Sequence, residues 1–460
     1  MKIRFLGAAR HVTGSCFHLR VNNLQILVDC GMRQGEDAAE GAVEPFPFDP
    51  KEIDVLFLTH AHIDHSGMIP KLVKDGFTGR IITTPGTADL AQIMLADAAH
   101  IQKKDAEWMT KKSFRIGKDK VYEPVYTLED VKGALKLFER VEYHETGHLG
   151  AGIGYRFWDA GHILGSGSFE MWYQDSPVEK RIVFSGDVGK GQSPIIRDPE
   201  HVKATDYIVV ESTYGNRFHK GMDESIDELV EAIKVTFKRG GNVIMPAFAV
   251  GRTQDILYTL NSLVKEGRLK PLDVYVDSPL ANEATAIYLN HPEDFGELAK
   301  KVFTLKKSDL VKLHFTTSVE ESQAINKIKT GAIIMAGSGM CEGGRVAHHL
   351  KHNLWRPECS IVFTGFQARG TLGRRIVDGA QRVHVLGEEI AVRAKVYTIG
   401  GFSAHADQAG LLAWLGSFSG SPEVFIVHGE EKTALEFEKL VQEKFGFTTH
   451  VPHKGDEYDI

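Results

Sequence analysis

The chain has 460 residues, 42% hydrophobic and 25% charged, with 54 Lys+Arg against 61 Asp+Glu and a formal net charge of −7. That length exceeds one compact core and calls for at least two domains, and no run approaches the roughly 20 apolar residues of a membrane helix, so no membrane partner is expected. The acidic balance runs against the basic bias of nucleic-acid binders unless positive charge is gathered locally or carried by bound metal.

Taken in chain order, residues 1–7 read as a strand with no signal-peptide core. The four cysteines, at 16, 30, 341 and 359, form no Cys-x-x-Cys pair. They argue against a disulfide framework or a cysteine-ligated zinc site, and a reducing cytoplasm is the expected location. Up to about residue 205, short apolar runs at 25–28, 55–58, 80–83 and 181–184 read as strands buried on both faces, separated by glycine-rich turns. Helices are expected over 66–74 and 88–104, the latter with Leu90, Met94 and Leu95 on one face. From about 212 strand and helix alternate. Ile226, Leu229, Val230, Ile233 and Phe237 make one helical face, and a second helix is expected over 253–264. Strands are expected over 243–245, 274–276, 332–335 and 361–363, the last two each followed by a glycine-rich loop and a helix. That alternation is the pattern of a parallel α/β sheet. After about 395 the earlier style returns, with strands at 396–399 and 424–427 and a closing helix over 435–444. The simplest organisation is one domain, 1–208 and 396–460, interrupted by another over 209–395.

The chain carries 21 histidines. Four possible ligands crowd into His60-Ala61-His62-Ile63-Asp64-His65, directly after a strand. In extended backbone His60 and His62 point to the same side, and Asp64 and His65, at the following turn, can face a second ion. Nitrogen and carboxylate donors suit Zn²⁺; the alternative is a set of surface histidines near a turn. Two ions need further ligands. His162 lies among small residues in Asp159-Ala160-Gly161-His162, and Asp187 ends an apolar strand in Phe184-Ser185-Gly186-Asp187. A buried carboxylate there is costly unless paired or ligated.

The ordered series of Asp29, the 60–65 run, His162 and Asp187 resembles the motifs of the metallo-β-lactamase superfamily. The resemblance continues into the β-CASP nucleases. Glu211 in Val209-Val210-Glu211-Ser212-Thr213 matches their motif A, His405 in Phe402-Ser403-Ala404-His405-Ala406-Asp407 their motif B, and His428 in Val427-His428-Gly429-Glu430 their motif C. It covers nearly the whole chain and points to bacterial and archaeal proteins similar to the endonuclease subunit of the cleavage and polyadenylation specificity factor. The implied fold is α/β, a metallo-β-lactamase αββα sandwich interrupted by an inserted parallel α/β β-CASP domain. Two Zn²⁺ per chain are implied, one on His60, His62 and His162, the other on Asp64, His65 and His428, with Asp187 bridging and Asp29 orienting the bridging water or a ligand histidine.

The implied activity is hydrolysis of RNA phosphodiester bonds by a metal-activated hydroxide, by internal cutting, with 5′→3′ trimming left open. The catalytic set is Asp64, Glu211 and His405: His405 would protonate the leaving oxygen, and Glu211 would orient it and favour its charged form. The alternative for His405 is a structural ligand or loop histidine. Arg252, Ser338, Gly339, Arg345, Gln367 and Arg369, in three glycine-containing strand-to-helix loops, match segments that line the RNA path. Without the resemblance such loops are equally ordinary α/β connections. The expected partner is single-stranded RNA, and a homodimer stays open. His428 separates the chain from the DNA-processing branch. A small-molecule metallo-hydrolase would not need the long insert, and a non-catalytic RNA-binding scaffold would have lost ligands that this chain keeps.

Overall fold

The first unit of the fold joins three stretches of chain, Met1–Gly191, Asp198–Phe218 and His405–Ile460, and the second joins Gln192–Arg197 to His219–Ala404. This computed structural model describes residues 1–34, 45–150, 152–175, 178–296, 299, 311–365 and 367–460.

Two seven-stranded sheets build the first unit. One runs in the order Glu457–Asp459, Lys2–Gly7, Cys16–Val21, Leu24–Val28, Val55–Phe57, Arg80–Thr83, Phe138–Arg140. The other runs Thr448–His450, Glu423–Val427, Tyr207–Glu211, Val178–Phe184, Gly167–Asp175, Ile153–Asp159, Gly147–Gly150. Side chains alternate across a strand. Phe5, Phe17, Ile26, Val28 and Phe57 of the first sheet therefore share one core with Phe157, Phe169, Phe184, Val209 and Phe425 of the second. The opposite face of the second sheet, with Ile208, Val210, Val424 and Ile426, is covered by Leu411, Trp414 and Phe437 from helices Gln408–Leu415 and Glu431–Phe445. Helices Ile69–Lys74 and Pro85–Arg115 both pack on Leu128–Leu135, and Pro85–Arg115 also reaches the edge strand Phe138–Arg140. This is the expected αββα sandwich.

Each sheet contains a parallel block. Leu24–Val28, Val55–Phe57 and Arg80–Thr83 are parallel in the first, and Val178–Phe184, Tyr207–Glu211 and Glu423–Val427 in the second. Open parallel sheets gather ligand groups at the carboxyl ends of their strands, and both blocks do so here.

In the second unit six strands, all parallel, run in the order Val311–Phe315, Leu272–Asp277, Ala332–Ala336, Val243–Pro246, Ser360–Phe363, Lys395–Thr398. Val243, Met245, Val274, Val276, Ile333 and Met335 face helices Met222–Lys238 and Arg252–Lys265. Ile244, Ile334, Ile361 and Phe363 face helices Arg345–Asn353 and Leu372–Val377.

Three sequence-based expectations shift. The boundaries at 208/209 and 395/396 move to 218/219 and 404/405. Strand Tyr207–Glu211 is paired on both sides within the sandwich, whereas Lys395–Thr398 pairs with Ser360–Phe363. The helix expected over 66–74 is two short helices, Ile63–Ser66 and Ile69–Lys74, parted at Gly67. There the Asp64 and His65 carbonyls accept from the Ser15 and Cys30 amides instead of continuing the helix. The helix expected over 88–104 runs from Pro85 to Arg115. Its C-terminal extension packs through Ala106 and Ser113, small residues that leave little hydrophobic periodicity to read.

Candidate metal centre

Five strand ends of the first unit deliver the polar cluster. Asp29 follows Val28, and His60 stands three residues after Phe57 on the neighbouring parallel strand. Asp187, Glu211 and His428 sit at or just beyond the ends of Val178–Phe184, Tyr207–Glu211 and Glu423–Val427. His62 precedes the one-turn helix Ile63–Ser66, which carries Asp64 and His65. That turn lies so close to Gly31 that a Cβ there would fall 1.7 Å from the Asp64 carbonyl oxygen. His162 is fixed by a bond from its amide to Ser166 Oγ, 3.0 Å. His428 has φ +49°, held by its amide donating to Ala8 O at 2.7 Å.

The side chains converge as two groups around one carboxylate. In the first, His60 Nε2 lies 3.1 Å from His62 Nδ1, which lies 3.2 Å from His162 Nε2. Asp187 Oδ2 stands 3.3 Å from His60 Nε2 and 3.5 Å from His162 Nε2. In the second, His65 Nε2 and His428 Nε2 are 3.2 Å apart, and Asp64 Oδ2 is 3.5 Å from His428 Nε2. Asp187 Oδ1 is 3.3 Å from His65 Nε2 and 3.7 Å from His428 Nε2. All seven residues offer donor atoms clustered closely enough for a metal ion. Donors about 2.0–2.1 Å from a tetrahedral zinc stand roughly 3.3 Å apart, so the spacing fits such an ion in each group. Imidazole nitrogens facing one another this closely repel unless a proton or a cation lies between them. Asp187 Oδ1 is buried and accepts no hydrogen bond, a costly state for a carboxylate oxygen.

The outward nitrogens of several rings are held in turn. Asp29 Oδ2 lies 2.7 Å from His65 Nδ1 and accepts from Thr59 Oγ1 at 2.9 Å, while Asp29 Oδ1 accepts from the Thr59 amide. Thr59 Oγ1 is also 3.1 Å from His60 Nδ1, and Thr213 Oγ1 is 3.0 Å from His428 Nδ1. Such partners fix ring orientation in metal sites. Thr59 and Thr213 were not among the expected site residues; the only signals were that Thr59 precedes His60 and Thr213 follows Glu211 by two positions.

Burial pushes the His60, His62 and His162 imidazoles toward the neutral form, His62 down to about 3, leaving lone pairs for a cation. Burial opposes the charge on Asp64 and Asp187, yet His428 at Asp64, and His428 and His65 at Asp187, hold both carboxylates below their ordinary range. Burial likewise opposes a charged His65, but Asp187 and Asp29 raise it well above its usual value. The pocket draws positive charge into itself.

His405 stands beside these groups, its ring centroid 4.5 Å from that of His162. Its Nδ1 lies 3.1 and 3.2 Å from the two Glu211 oxygens and 3.9 Å from Asp187 Oδ2. Glu211 is buried and accepts from the Val188 amide at 2.7 Å and the Thr213 amide at 3.3 Å. Burial lowers the His405 affinity for a proton, but Glu211 and Asp187 outweigh it and push the group up to about 9.

The six residues expected to contact RNA all belong to the second unit and differ in circumstance. Ser338 and Arg369 are exposed, whereas Gly339 is buried under the Phe248 ring, 2.8 Å from where its Cβ would be. Arg252 is buried, and Gln367 is buried with its amide donating to Gly339 O at 3.0 Å. Phe366, in the same loop, lies outside the described residues. Arg345 departs from expectation. Its guanidinium donates to Asp277 Oδ1 at 2.6 Å, to Thr316 Oγ1 at 3.2 Å and to Thr317 O at 3.0 Å, because a buried carboxylate at the next strand end needs the cation.

A sandwich whose parallel strand ends bring histidine and carboxylate donors together in this way defines a metallo-hydrolase. Over residues 10–276 the sequence matches the metallo-beta-lactamase superfamily, over 253–376 the Beta-Casp domain, and over 389–452 the Zn-dependent metallo-hydrolase RNA specificity domain. Ribonuclease TTHA0252 of Thermus thermophilus is 38% identical over 443 residues, covering 96% of each chain. The RNase J-like protein of Methanocaldococcus jannaschii is 30% identical, covering 98% of each. The transcription termination factor FttA of the same organism is also 30% identical, over 99% of this chain and 71% of that one. A protein of unknown function from Enterococcus faecalis, known from a crystal structure, shares the fold with a TM-score of 0.56 at 12% identity, over 99% of both chains. The chain belongs to the family of metallo-β-lactamase-fold β-CASP ribonucleases. No helix among the described residues is long and apolar enough to cross a membrane.

Proposed function

We propose that this chain hydrolyses phosphodiester bonds of single-stranded RNA in the cytoplasm, with two zinc ions held in the first unit. The observation that carries the reading is Asp187, whose two oxygens each face a separate set of histidine nitrogens. His60, His62 and His162 would hold one ion beside Oδ2; Asp64, His65 and His428 would hold the other beside Oδ1. Asp29 would keep the His65 ring turned inward. Bound as such a pair, zinc supplies Lewis acidity that makes water nucleophilic near neutral pH and offsets charge on the phosphate.

His405 would give the leaving ribose oxygen its proton from Nε2, since Nδ1 is turned to Glu211. Glu211 would keep that ring oriented and charged from its own anchorage on two backbone amides. The acid would then be oriented before substrate arrives, with no reorganisation of the ring needed at the moment of bond cleavage.

The test is incubation of purified protein with 5′-labelled single-stranded RNA, single-stranded DNA and a β-lactam, each with and without a chelator. We expect RNA alone to be cut, with activity lost on chelation and restored by zinc. Labelled fragments of many lengths would mark internal cutting, and labelled mononucleotide would mark 5′→3′ trimming. Hydrolysis of DNA or the lactam without RNA, or full activity in metal-stripped protein, would overturn the proposal.

A further inference from the structure

The outer half of helix Pro85–Arg115 is unlike the rest of the surface. Over 101–122 the chain carries seven Lys/Arg against three Asp/Glu, in a protein whose formal net charge is −7. Helical spacing sorts these residues by face. Ala99, Ala106 and Ser113, seven apart, are the buried stripe. On the opposite side Lys104, Trp108, Lys111 or Lys112, and Arg115 fall three or four residues apart, and all five are exposed. Trp108 is 60% exposed, and Lys112 Nζ lies 4.9 Å from the centre of its ring. None of Lys104, Lys111, Lys112 and Arg115 forms an ion pair among the described residues.

This half of the helix is braced, which a merely frayed end would not be. The returning chain is tied along the helix. The Tyr122 amide donates to Thr110 Oγ1 at 2.9 Å, the Lys120 amide to Ser113 Oγ at 2.8 Å, and the Val125 amide to Gln102 Oε1 at 3.2 Å. These bonds hold the returning chain to the inner side and leave the cationic stripe with its tryptophan exposed. At the other end of the same helix, Gly86 lies against Gly165 of the His162 loop, with 3.0 Å between its Cβ position and Gly165 Cα. At 1.5 Å per residue, Trp108 stands roughly 33 Å further along the axis.

We propose that this face, Lys104, Trp108, Lys111, Lys112 and Arg115, is a docking arm for single-stranded RNA outside the cleavage site. A large aromatic left in solvent among unpaired cations suits a polyanion whose bases are free to stack. The cations meet phosphates, and the indole accepts a base in a manner indifferent to sequence. A protein groove or a membrane would also take an amphipathic surface. Ile101, Met109, Phe114, Ile116 and Val121 of this segment are exposed as well, but along the stripe itself four cations surround Trp108, and that density of positive charge is met by phosphates and not by an apolar partner. The proposal rests on the ribonuclease reading and adds a second point of attachment, so that long RNA gains affinity that a short oligonucleotide cannot.

Binding of zinc-loaded protein carrying H405A, which blocks turnover, to a fluorescent 30-nucleotide single-stranded RNA, measured by anisotropy across a salt series, tests this. Combining K104A, K111A, K112A and R115A is expected to weaken binding at least tenfold and to flatten the slope of log K against log salt by about 3, near 0.7 per lost phosphate contact. W108A is expected to weaken it about fivefold or more with the slope unchanged. In turnover, the fourfold variant should raise KM for the 30-mer and leave KM for a hexanucleotide as it was. All five side chains are exposed, and circular dichroism confirms that the variants fold. Wild-type affinity and slope in the fourfold variant would overturn the arm. So would loss of binding to phosphatidylserine vesicles with RNA binding intact, which would assign the face to membranes. Failure of the wild type to cut any RNA would instead count against the ribonuclease reading alone.

Discussion

His405 and Glu211 are the pair in which a single atom exchange is most informative. Glu211 faces His405 Nδ1 with both oxygens, and its negative charge is a principal cause of the raised proton affinity of the ring. A general acid works only while protonated, so activity should fall as pH rises through the His405 value. Replacing the carboxylate by a neutral amide lowers that value. Glu211→Gln is therefore expected to move the alkaline limb of the kcat profile to lower pH while zinc content, measured by elemental analysis, stays as in the wild type. An unmoved limb would remove Glu211 from any role in holding the proton. The run from His60 to His65 was legible in the sequence because metal chemistry admits few residue types: histidines and a carboxylate two to five positions apart at a strand end have few other uses, whereas Glu211, His405 and His428, isolated in the chain, came only with the family resemblance. Thr59 and Thr213 were not legible, since a hydroxyl that steadies an imidazole looks the same in sequence as any threonine near a turn.

At the scale of elements, the second unit has a buried polar centre of its own. Asp277, at the end of strand Leu272–Asp277, is fully buried. It accepts from Ser322 Oγ and Arg345 Nη1, each at 2.6 Å, and from Thr316 Oγ1, with His349 Nε2 at 2.7 Å. The turn after strand Val311–Phe315, helix Val319–Ile325 and helix Arg345–Asn353 are thereby tied to one carboxylate. Burial opposes its charge, but His349, Ser322, Thr316 and Arg345 together hold it well below the usual range. Asp277→Asn leaves the Arg345 charge without its partner and is expected to cost about 3 kcal/mol in denaturant unfolding of this unit. The sign with pH follows from the depressed value: the carboxylate's contribution is complete above its unfolded value, about 3.9, and fades as pH falls below that. The gap between wild type and variant should therefore be constant from about pH 5 to 7 and narrow below about pH 4. A gap independent of pH would show that the side chain acts by packing and not by charge. Here the sequence misled. The loop that holds Arg345 carries the glycines and the helix start of an anion site, but the guanidinium is taken by an aspartate 68 positions earlier, a neighbour fixed only by the order of strands in the sheet.

For the whole molecule, the decisive fact is that the first unit is assembled from three stretches of chain, with His428 supplied by the last of them. Periodicity showed two kinds of segment and their order, but it could not place the joins. A strand such as Lys395–Thr398 looks the same whether it pairs with the strands before it or after it; only its bonds to Ser360–Phe363 assign it to the second unit. Each unit has its own hydrophobic cores, Phe57, Phe169 and Phe184 in one and Ile256, Ile333 and Met335 in the other, so each should unfold as its own cooperative step. All seven proposed ligands lie in the first unit. A ligand that binds only the folded form stabilises it by about 4 kcal/mol when present at 1,000 times its dissociation constant. Stripping metal with a chelator is therefore expected to lower one of two calorimetric transitions by several degrees, leave the other in place, and be reversed by added zinc. Transitions that fell together would mean that the metal centre stabilises the entire chain, and an unmoved pair would remove the ions from the folding of the first unit.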